Sequence, residues 1–389
     1  MKNRSILGTV SILAPFVFSF AFAMDIYIPA VPQMVGIFHT SQLAVQVTLS
    51  IFMLIVGIAQ LFIGPISDQY GRRKLALLST SIYLVGSLFC ALSPNIDVLI
   101  VSRAVQALGG SGMLVVALAI VRDCFSGNDS AKVYSFLNCG LATSPLFAPI
   151  IGSYLVVFFN WQAGFVFLTL LGMIILIISW FKIKETLSPE NRIRVDLTLF
   201  GRYWRILRNR EFIAYTISAS AALSIFFTFF SSSPYIIIKL LHVSQQDFGY
   251  YFFIIGLTFF IGSLISGRIV SYFGVFKTVL IGAVIMTLAG MIMLGWYYYV
   301  GLTVANYLFP CMLAGIGGAL MMGAGAGGAM EPFPDIAGSA AAVLGCIQFL
   351  SSALIGTFVM HWHVSSTIPL ALTMLTMGSL SLYSLLKFL

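Results

Sequence analysis

The fold is indicated by a short polar stretch between two apolar runs, GPISDQYGRRK at residues 64–74. It contains two glycines, which permit a tight chain reversal, and an acid and three bases follow one another within its last seven residues. The apolar runs on either side lie near 43–66 and 75–93, and crossing a bilayer takes about 20 apolar residues. The stretch is therefore predicted to be the turn between two membrane-spanning helices.

The rest of the chain repeats this alternation of apolar runs and polar breaks. Of its 389 residues, 60% are hydrophobic and 8% are charged. Soluble domains carry about 25% charged residues, so the composition excludes a water-soluble enzyme. We predict an all-α membrane protein of twelve spans, with no room for a sizeable soluble domain. The runs lie near 7–31, 43–66, 75–93, 98–120, 132–156, 162–181, 212–237, 247–267, 278–298, 302–325, 337–360 and 366–386.

The basic residues predict the orientation of these spans. An even number of spans puts both termini on one side, and placing them in the cytoplasm puts every Lys and Arg there except Lys239 and Arg103. By the positive-inside rule, both termini are predicted to be cytoplasmic. This also accounts for the net charge of +8 without a nucleic-acid partner. Lys2, Arg4 and the segment 21–23 resemble a signal peptide, but the apolar run continues past them, so no cleavage is expected.

The longest polar stretch, residues 182–211, separates the sixth span from the seventh. We interpret it as a cytoplasmic linker between two six-helix bundles, residues 1–181 and 212–389. A shift of 203 positions superimposes the turns that follow the second span of each bundle, a weak symmetry typical of parallel six-span repeats. The shift aligns Gly64 with Gly267, Gly71 with Gly274, and Lys74 with Lys277.

Several motifs resemble those of the major facilitator superfamily. The 64–74 stretch is similar to its loop signature, and Arg103 with Gln106 and Gly109 is similar to its fourth-span motif. The fifth span resembles the antiporter motif, except that Ala148 stands where a glycine is usual. The matching residues there are Pro145, Pro149 and Gly152. The resemblance covers nearly the whole chain and implies two pseudo-symmetric bundles of six helices.

Narrower motifs resemble one branch of that superfamily, the bicyclomycin/chloramphenicol-resistance drug–proton antiporters. The similar segments are DIYIPAVP at 25–32 and AMEPF at 329–333. The segments 24–27 and 161–163 look most like chloramphenicol/florfenicol exporters. The resemblance is weaker for the substrate, because close relatives export different compounds.

The resemblance implies a cytoplasmic gate at the 64–74 turn. Asp68 is expected to face the start of the eleventh helix, whose free N–H groups attract an anion, and Arg72 is expected to pair with Asp123. On composition alone, the turn is also readable as a simple topology anchor. Glu331 either supplies the acid that the second half lacks or is a solvated loop residue. The expected gate residues are Gly64, Asp68, Gly71, Arg72, Arg73, Arg122, Asp123 and Glu331.

One acid and one base, Asp25 and Arg103, fall within predicted spans. A charge at a helix centre costs about 2.5–3.5 kcal/mol on insertion scales and usually faces an aqueous cavity. At 1.5 Å per residue, both lie roughly 27–28 Å from the inner boundary, so their depths allow them to approach each other. They form either a structural ion pair or a proton-coupling site, and the resemblance assigns the proton to Asp25.

The substrate pocket is less sharply indicated. Drug-sized pockets are mostly apolar and aromatic, yet Phe side chains in membrane helices also face lipid or neighbouring helices. The candidate pocket residues are Met24, Tyr27, Asn138, Phe226, Phe230 and Gln348. The scattered cysteines show neither metal nor disulfide spacing, and we expect no metal and no cofactor other than the proton gradient.

These features predict a monomeric, proton-coupled antiporter that exports small amphipathic compounds, phenicol-like drugs or similar, across the bacterial inner membrane by alternating access. Its expected partners are the substrate, protons and the lipid bilayer. A transporter of a siderophore or another metabolite, including an importer, is the alternative, and a channel is a further one. A membrane enzyme is disfavoured, because no intramembrane cluster of His, Asp and Ser offers a nucleophile or a metal site.

Overall fold

The computed structural model describes residues 6–125, 127–188, 190, 192, 198–362 and 366–389, which excludes Lys2 and Arg4 of the predicted cytoplasmic N-terminus. Long α-helices make up nearly all of it. The helices are α1 (Ile6–Asp25), α2 (Val31–Ile37), α3 (Gln42–Tyr70), α4 (Arg72–Ala91), α5 (Ile96–Cys124), α6 (Gly127–Phe158), α7 (Ala163–Lys182), α8 (Thr198–Leu207), α9 (Arg210–Pro234), α10 (Gln245–Val300), α11 (Val304–Met330), α12 (Ala337–His361) and α13 (Ile368–Phe388). Short 3-10 turns cover Ile28–Ala30 and Pro334–Ile336, and a π-helical segment covers Tyr235–Leu240.

Eleven helical stretches in the described part of the chain are long and apolar enough to cross a membrane. One of them, α10, is 56 residues long and turns back at Gly274, whose φ of 78° is not helical. It therefore supplies two crossings, and the total of twelve confirms the predicted all-α, twelve-span fold.

The two loops that the sequence shift superimposes share a backbone conformation. Gly71, between α3 and α4, has φ 98°, and Gly274 has φ 78°. Residues with a side chain rarely adopt these values, whereas glycine does so freely. The weak sequence repeat is thus visible as the same reversal after the second span of each half.

The helix starts follow local sequence rules. Side chains of Ser, Asn and Thr at the first position accept a hydrogen bond from a backbone N–H of the first turn, which otherwise has no partner. They are Ser41 for α3, Asn95 for α5, Asn209 for α9, Ser244 for α10 and Thr303 for α11. Each of these helices is therefore delimited by a residue that prefers to begin a helix.

Glycines set the closest helix crossings. A Cβ at Gly109 would collide with the backbone of Tyr83, which brings α5 against α4. A Cβ at Gly317 would lie 2.8 Å from the carbonyl oxygen of Gly282, so the glycine-rich α11 packs directly on α10. This supports the interpretation of small residues in membrane helices as close-packing positions.

In the described part of the chain, the most extensive contacts between the two halves are those of α3 with α12 and of α6 with α10. We call the side of the bundle with the 64–74 turn and α8 the linker side, and the opposite side, with the turns at 38–41 and 241–244, the distal side. The predicted cytoplasmic position of the linker side rests on the positive-inside rule.

The connection between the halves is itself structured. Helix α8 packs on α9 and α12, and the Tyr203 hydroxyl donates a hydrogen bond of 2.6 Å to the Leu61 carbonyl of α3. That carbonyl lacks its usual helical donor because Pro65, four residues on, has no N–H. Burial raises the pKa of Tyr203 to about 12, so the hydroxyl keeps its donor proton at physiological pH.

Candidate functional site

The membrane-embedded acid lies where α1 ends. Asp25 is the last residue of α1 and 3% exposed, and Pro29 follows four residues later. Because proline has no N–H, the helix cannot continue its hydrogen-bond ladder past this point, and the chain passes through a 3-10 turn into α2. The break leaves a carboxyl group beside backbone carbonyls that have no helical partner.

Helix α6 supplies the partner of this carboxylate. The Ser144 hydroxyl donates to Asp25 Oδ2 at 2.7 Å, while Asp25 Oδ1 is buried with no hydrogen-bond partner among the described residues. The approach depends on Gly152, two turns along α6, where a Cβ would collide with the Ile26 carbonyl oxygen. The fifth-span motif thus brings α6 onto the end of α1.

Replacing Gly152 with alanine is expected to push α6 away from α1. Overpacking of this kind typically costs about 1–3 kcal/mol, and here the colliding atom belongs to the backbone. We expect a lower midpoint of thermal unfolding in detergent and roughly tenfold slower transport. Gly295→Ala is the matched control, because no atom in the described part of the chain lies within 4 Å of a Cβ at that position. Equal behaviour of the two variants would contradict the proposed close approach.

Arg103 is fully buried and is held by several acceptors. Its Nη1 donates to the Ala23 carbonyl at 2.8 Å and to Gln106 Oε1 at 2.5 Å, and its Nε donates to the Thr48 carbonyl at 3.3 Å. The guanidinium carbon also lies 4.3 Å from the centre of the Phe52 ring. The Ala23 carbonyl belongs to the last turn of α1, where the helix dipole favours a positive charge.

Among the described residues, Asp25 and Arg103 share no ion pair, although their predicted depths would allow one. Within the described residues, no ion pair includes either side chain. Asp25 is bonded to Ser144, whereas Arg103 is bonded to carbonyl and amide oxygens. The two depths were predicted to be similar, but depth along a helix does not fix the direction in which a side chain points. Both groups still act on the last turn of α1. Asp25 belongs to that turn, and Arg103 donates a hydrogen bond to its Ala23 carbonyl.

A small cavity lies beside Arg103, between the two halves. Its volume is about 10 Å³, roughly what one water molecule needs and far below the 300–1,000 Å³ of drug-sized sites. The structure therefore represents a state closed around its centre. The lining residues are Met24, Ile28, Leu49, Phe52, Met53, Arg103, Phe227 and Phe230.

Two of the six predicted pocket residues, Met24 and Phe230, line this cavity. Tyr27 is buried close to Arg103, with its hydroxyl 2.6 Å from the Thr48 hydroxyl. Phe226 packs its ring on Phe259, with 4.6 Å between ring centres, and Gln348 lies within α12.

Asn138 is exposed on α6 and is not among the residues that line the cavity. The α3 residues of the lining went unpredicted because Leu49, Phe52 and Met53 look like any apolar stretch of a span.

Neutral hydrogen bonds join the halves on the distal side of the cavity. The Gln46 amide of α3 donates to the Ser231 hydroxyl of α9 at 3.0 Å, and the Thr357 hydroxyl of α12 donates to that of Ser50 at 2.6 Å. Further out, the Tyr154 and Tyr250 hydroxyls lie 2.7 Å apart. This distal closure connects α3 and α6 of the first half with helices of the second.

The linker-side closure begins with packing. The Phe20 ring of α1 lies 6.3 Å from that of Phe349 in α12, and a Cβ at Gly345 would collide with the Gln60 side chain of α3. At the far end, a Cβ at Gly338 would lie 3.0 Å from Arg122 Nη1. The cavity is thus closed from both sides by contacts between the halves.

A charge cluster surrounds the 64–74 turn; we define it as Asp68, Arg72, Arg122 and Asp123. Arg72, 2% exposed, lies 2.6 Å from Asp68 and 2.8 Å from Asp123, so the expected Arg72–Asp123 pair is present. Arg122 Nη2 is 4.0 Å from Asp68. Arg122 also lies against Gly338, the second residue of α12, so it contacts both Asp68 and the helix start that Asp68 was expected to face.

The other expected gate residues lie around this cluster. Arg73 is exposed and donates to the Trp180 carbonyl at 3.1 Å. Glu331 is exposed just after α11. At Gly64, a Cβ would have no atom of the described residues within 4 Å, whereas Gly71 provides the reversal described above.

Sequence reasoning missed two members of this region in the linker. Glu185 accepts hydrogen bonds from the backbone N–H groups of Arg72 (2.9 Å) and Arg73 (3.4 Å). It therefore places a negative charge at the N-terminus of α4, where the helix dipole favours it. The Thr186 hydroxyl donates to Asp123 at 2.9 Å. The only available signal was their position just after a span.

Replacing Arg72 with glutamine is expected to disrupt the charge cluster. Removing one partner of a buried ion pair typically costs about 3–5 kcal/mol, and less here, since Asp68 is partly exposed. We expect a lower unfolding midpoint and at least about tenfold slower transport. Lys74→Gln is the control, because that side chain is exposed and lies outside the charge cluster, and it should stay within about twofold of wild type. A similar loss of stability and transport in both variants would show that the effect does not come from the buried ion pairs of Arg72.

Comparison with known proteins agrees with this architecture. The family model of the Major Facilitator Superfamily matches residues 13–356. The chain is 30% identical over 385 residues to a chloramphenicol resistance protein of Pseudomonas aeruginosa, covering 97% of this chain and 90% of that protein. It is 29% identical over 390 residues to a bicyclomycin resistance protein homolog of Haemophilus influenzae, covering 98% and 94%.

A solved structure has the same fold. The crystal structure of a D-xylose-proton symporter superposes on this chain with a TM-score of 0.74. The superposition covers 99% of this chain and 98% of the symporter, and the two sequences are 16% identical. The resemblance drawn from the sequence motifs is confirmed at the level of superfamily and of drug-resistance relatives.

Proposed function

The chain belongs to the major facilitator superfamily, and from this premise we propose that it is a proton-coupled antiporter exporting small amphipathic compounds of the phenicol type. It is a multi-pass transporter of the bacterial inner membrane, with drug-resistance proteins among its relatives. The coupling ion, the direction of transport and the substrate class are what we propose beyond the family. The linker side is taken to face the cytoplasm.

The observation that carries the proposal is the environment of Asp25. One oxygen of this carboxylate accepts from Ser144, and the other is buried without a protein partner in the described part of the chain. A buried oxygen with no donor is poorly stabilised as an anion, which supports a site that binds and releases a proton. Ionisable groups at this depth usually serve ion or substrate pathways.

The cavity supports an amphipathic substrate. Its lining is apolar and aromatic apart from the guanidinium of Arg103, and drug sites combine such surfaces with a few orienting polar groups. A drug-sized molecule requires a cavity far larger than the one present, so the halves must separate on one side to admit it. Met24 and Phe230, on facing halves, are then positioned to contact the substrate.

In the proposed cycle, the linker side opens and substrate binding promotes loss of the proton from Asp25. The halves then close on the linker side and open on the distal side, where the substrate leaves and a proton rebinds. Opening on the linker side has to separate Arg122 from Gly338 and Gln60 from Gly345. Opening on the distal side has to break the Gln46–Ser231 and Ser50–Thr357 hydrogen bonds.

The proton gradient supplies enough free energy for this cycle. A membrane potential of 100 mV gives about 2.3 kcal/mol per proton, and each pH unit adds about 1.36 kcal/mol. Together they sustain roughly a 500-fold concentration gradient of a neutral substrate, since each 1.4 kcal/mol corresponds to a factor of ten.

An alternative function is transport of a siderophore or another small metabolite, including import. The observation that favours it is the set of amide and hydroxyl groups at the distal closure, Gln46, Ser50, Ser231 and Thr357, which would suit a more polar substrate. The alternative shares the fold and the closed cavity but changes the substrate and the direction.

The purified protein in liposomes tests the proposal. With a pH gradient imposed across vesicles of known orientation, labelled chloramphenicol or florfenicol should move uphill against the proton flow, and a trapped pH dye should report matching proton movement. Movement with the protons would support import, and ion currents without saturable exchange would indicate a channel. Absence of movement of either phenicol, with uptake of a metabolite instead, would favour the alternative.

A further inference from the structure

We propose that α8 is a binding element for anionic phospholipids of the inner leaflet, with its arginines contacting the phosphodiester headgroups. This surface lies outside the transport pathway. Its assignment depends on the predicted orientation of the linker side but on neither the substrate nor the coupling ion.

The ten residues of α8 and the residue that follows it divide into three sectors at 100° per residue. One sector, with Leu199, Tyr203 and Ile206, is buried against the bundle. The next is apolar but exposed, with Phe200 and Trp204 each 59% exposed and Leu207 41% exposed. The remaining arc carries three basic residues, Arg202, Arg205 and, just past the helix end, Arg208, with the small Gly201 among them. The bundle therefore covers only part of the apolar surface of α8, and the rest of that surface is exposed.

The buried sector fixes how the other two are presented. Tyr203 is bonded to Leu61 of α3, and Arg205 lies 3.0 Å from Asp335 in the turn before α12. Helix α8 is therefore held at the level where spans begin and end. A helix of ten residues is about 15 Å long, half of what crossing the hydrocarbon core requires, so α8 does not span the membrane, and we place it along the surface.

Two of the three arginines in the basic arc have no acidic partner among the described residues. Among the described residues, ion pairs include Arg205 but neither Arg202 nor Arg208. The Arg208 guanidinium lies 4.9 Å from the centre of the Trp204 ring, which places a cation next to an aromatic group typical of the membrane interface. Arg210 extends the basic surface at the start of α9.

Charge complementarity identifies the occupant as lipid. The inner leaflet is negatively charged and attracts basic segments next to spans. Interfacial helices combine such charges with Trp, Phe and Leu on the adjoining face. In α8, the exposed apolar sector adjoins both the bundle and the basic arc, so it can enter the acyl-chain boundary while the arginines stay at the headgroups.

Tryptophan quenching in liposomes tests this placement, using the difference in fluorescence between the wild-type protein and Trp204→Phe. We expect the Trp204 signal to be quenched at least twofold more by phosphatidylcholine brominated near the glycerol end of the chains than by lipid brominated near the chain terminus. The difference between wild type and Trp180→Phe gives the same measurement for a second exposed tryptophan. Trp180 lies near the end of the spanning helix α7.

The lipid preference is measured by placing the bromine on either phosphatidylglycerol or phosphatidylcholine in equal mixtures. We expect about threefold enrichment of phosphatidylglycerol near Trp204, falling toward onefold in Arg202→Gln/Arg208→Gln and in high salt. Quenching by aqueous iodide instead of brominated lipid would overturn the proposal and indicate a surface open to soluble proteins. Lipid quenching with no preference for the anionic headgroup would overturn the assigned role of the arginines.

Discussion

Asp25→Asn is expected to remove uphill export, with the steady-state gradient falling from roughly 500-fold to about onefold under the conditions above. The amide has nearly the shape of the carboxyl group but binds no proton in the physiological range, so the cycle loses its coupling ion. Substrate exchange across vesicles without a pH gradient should persist, because the cavity lining is unchanged. Proton release on addition of chloramphenicol to the purified protein should disappear.

The matched control for this variant is Asp97→Asn. Asp97 is an exposed acid in the first turn of α5 on the distal side, and its replacement should leave export and proton release within about twofold of wild type. Ser144→Ala tests the partner of Asp25 and should keep coupling while shifting its pH dependence. Wild-type uphill export by Asp25→Asn would refute the assignment of the proton.

Arg103→Gln is expected to slow transport by about 10- to 100-fold, since hydrogen bonds to charged groups contribute about 1.5–3 kcal/mol each. The variant leaves the Ala23 and Thr48 carbonyls without their donor. The last turn of α1 then loses the positive charge that its carbonyl group binds. The unfolding midpoint should also fall. Arg103→Lys keeps the charge but not the fork of donors, so it should recover only part of the rate.

A double-mutant cycle measures whether Arg103 and Asp25 interact directly. Because the two charges hold different partners in the structure but act on the same turn of α1, the cycle in Asp25→Asn and Arg103→Gln should give a coupling energy in unfolding of no more than about 1 kcal/mol. A coupling energy well above that value would show that the two charges pair in the protein, as their predicted depths suggest. Unchanged transport by Arg103→Gln would refute its role at the cavity.

The features predicted from the sequence are those that depend on local rules. Apolar length gave the twelve spans, and the 64–74 turn, through the motif it resembles, indicated a charged reversal that pairs Arg72 with Asp123. The alignment of Gly71 with Gly274 indicated a repeat, and the structure adds that the two glycines share a backbone conformation. The division into residues 1–181, 182–211 and 212–389 and the cytoplasmic orientation stay predictions.

The features that were missed depend on which way side chains point and on which backbone groups lack partners. Similar depths suggested an Asp25–Arg103 pair, but carbonyls such as that of Ala23, at the broken end of α1, compete for the guanidinium. Pro65 likewise signalled an unpaired Leu61 carbonyl, yet only the tertiary structure identifies Tyr203 as its donor. Glu185 and Thr186 follow a span in an ordinary polar segment, and no periodicity marks them.

The ending of α1 at Asp25 has a mechanical consequence. Within one helical turn, the chain carries both the carboxyl group and the carbonyl that anchors the guanidinium. A tilt of this turn would displace both groups simultaneously, one relative to α6 and the other relative to α5. The protonation state of Asp25 could then affect the shape of the cavity at Arg103 without a chain of intervening side chains, because both groups are held by the same turn of backbone.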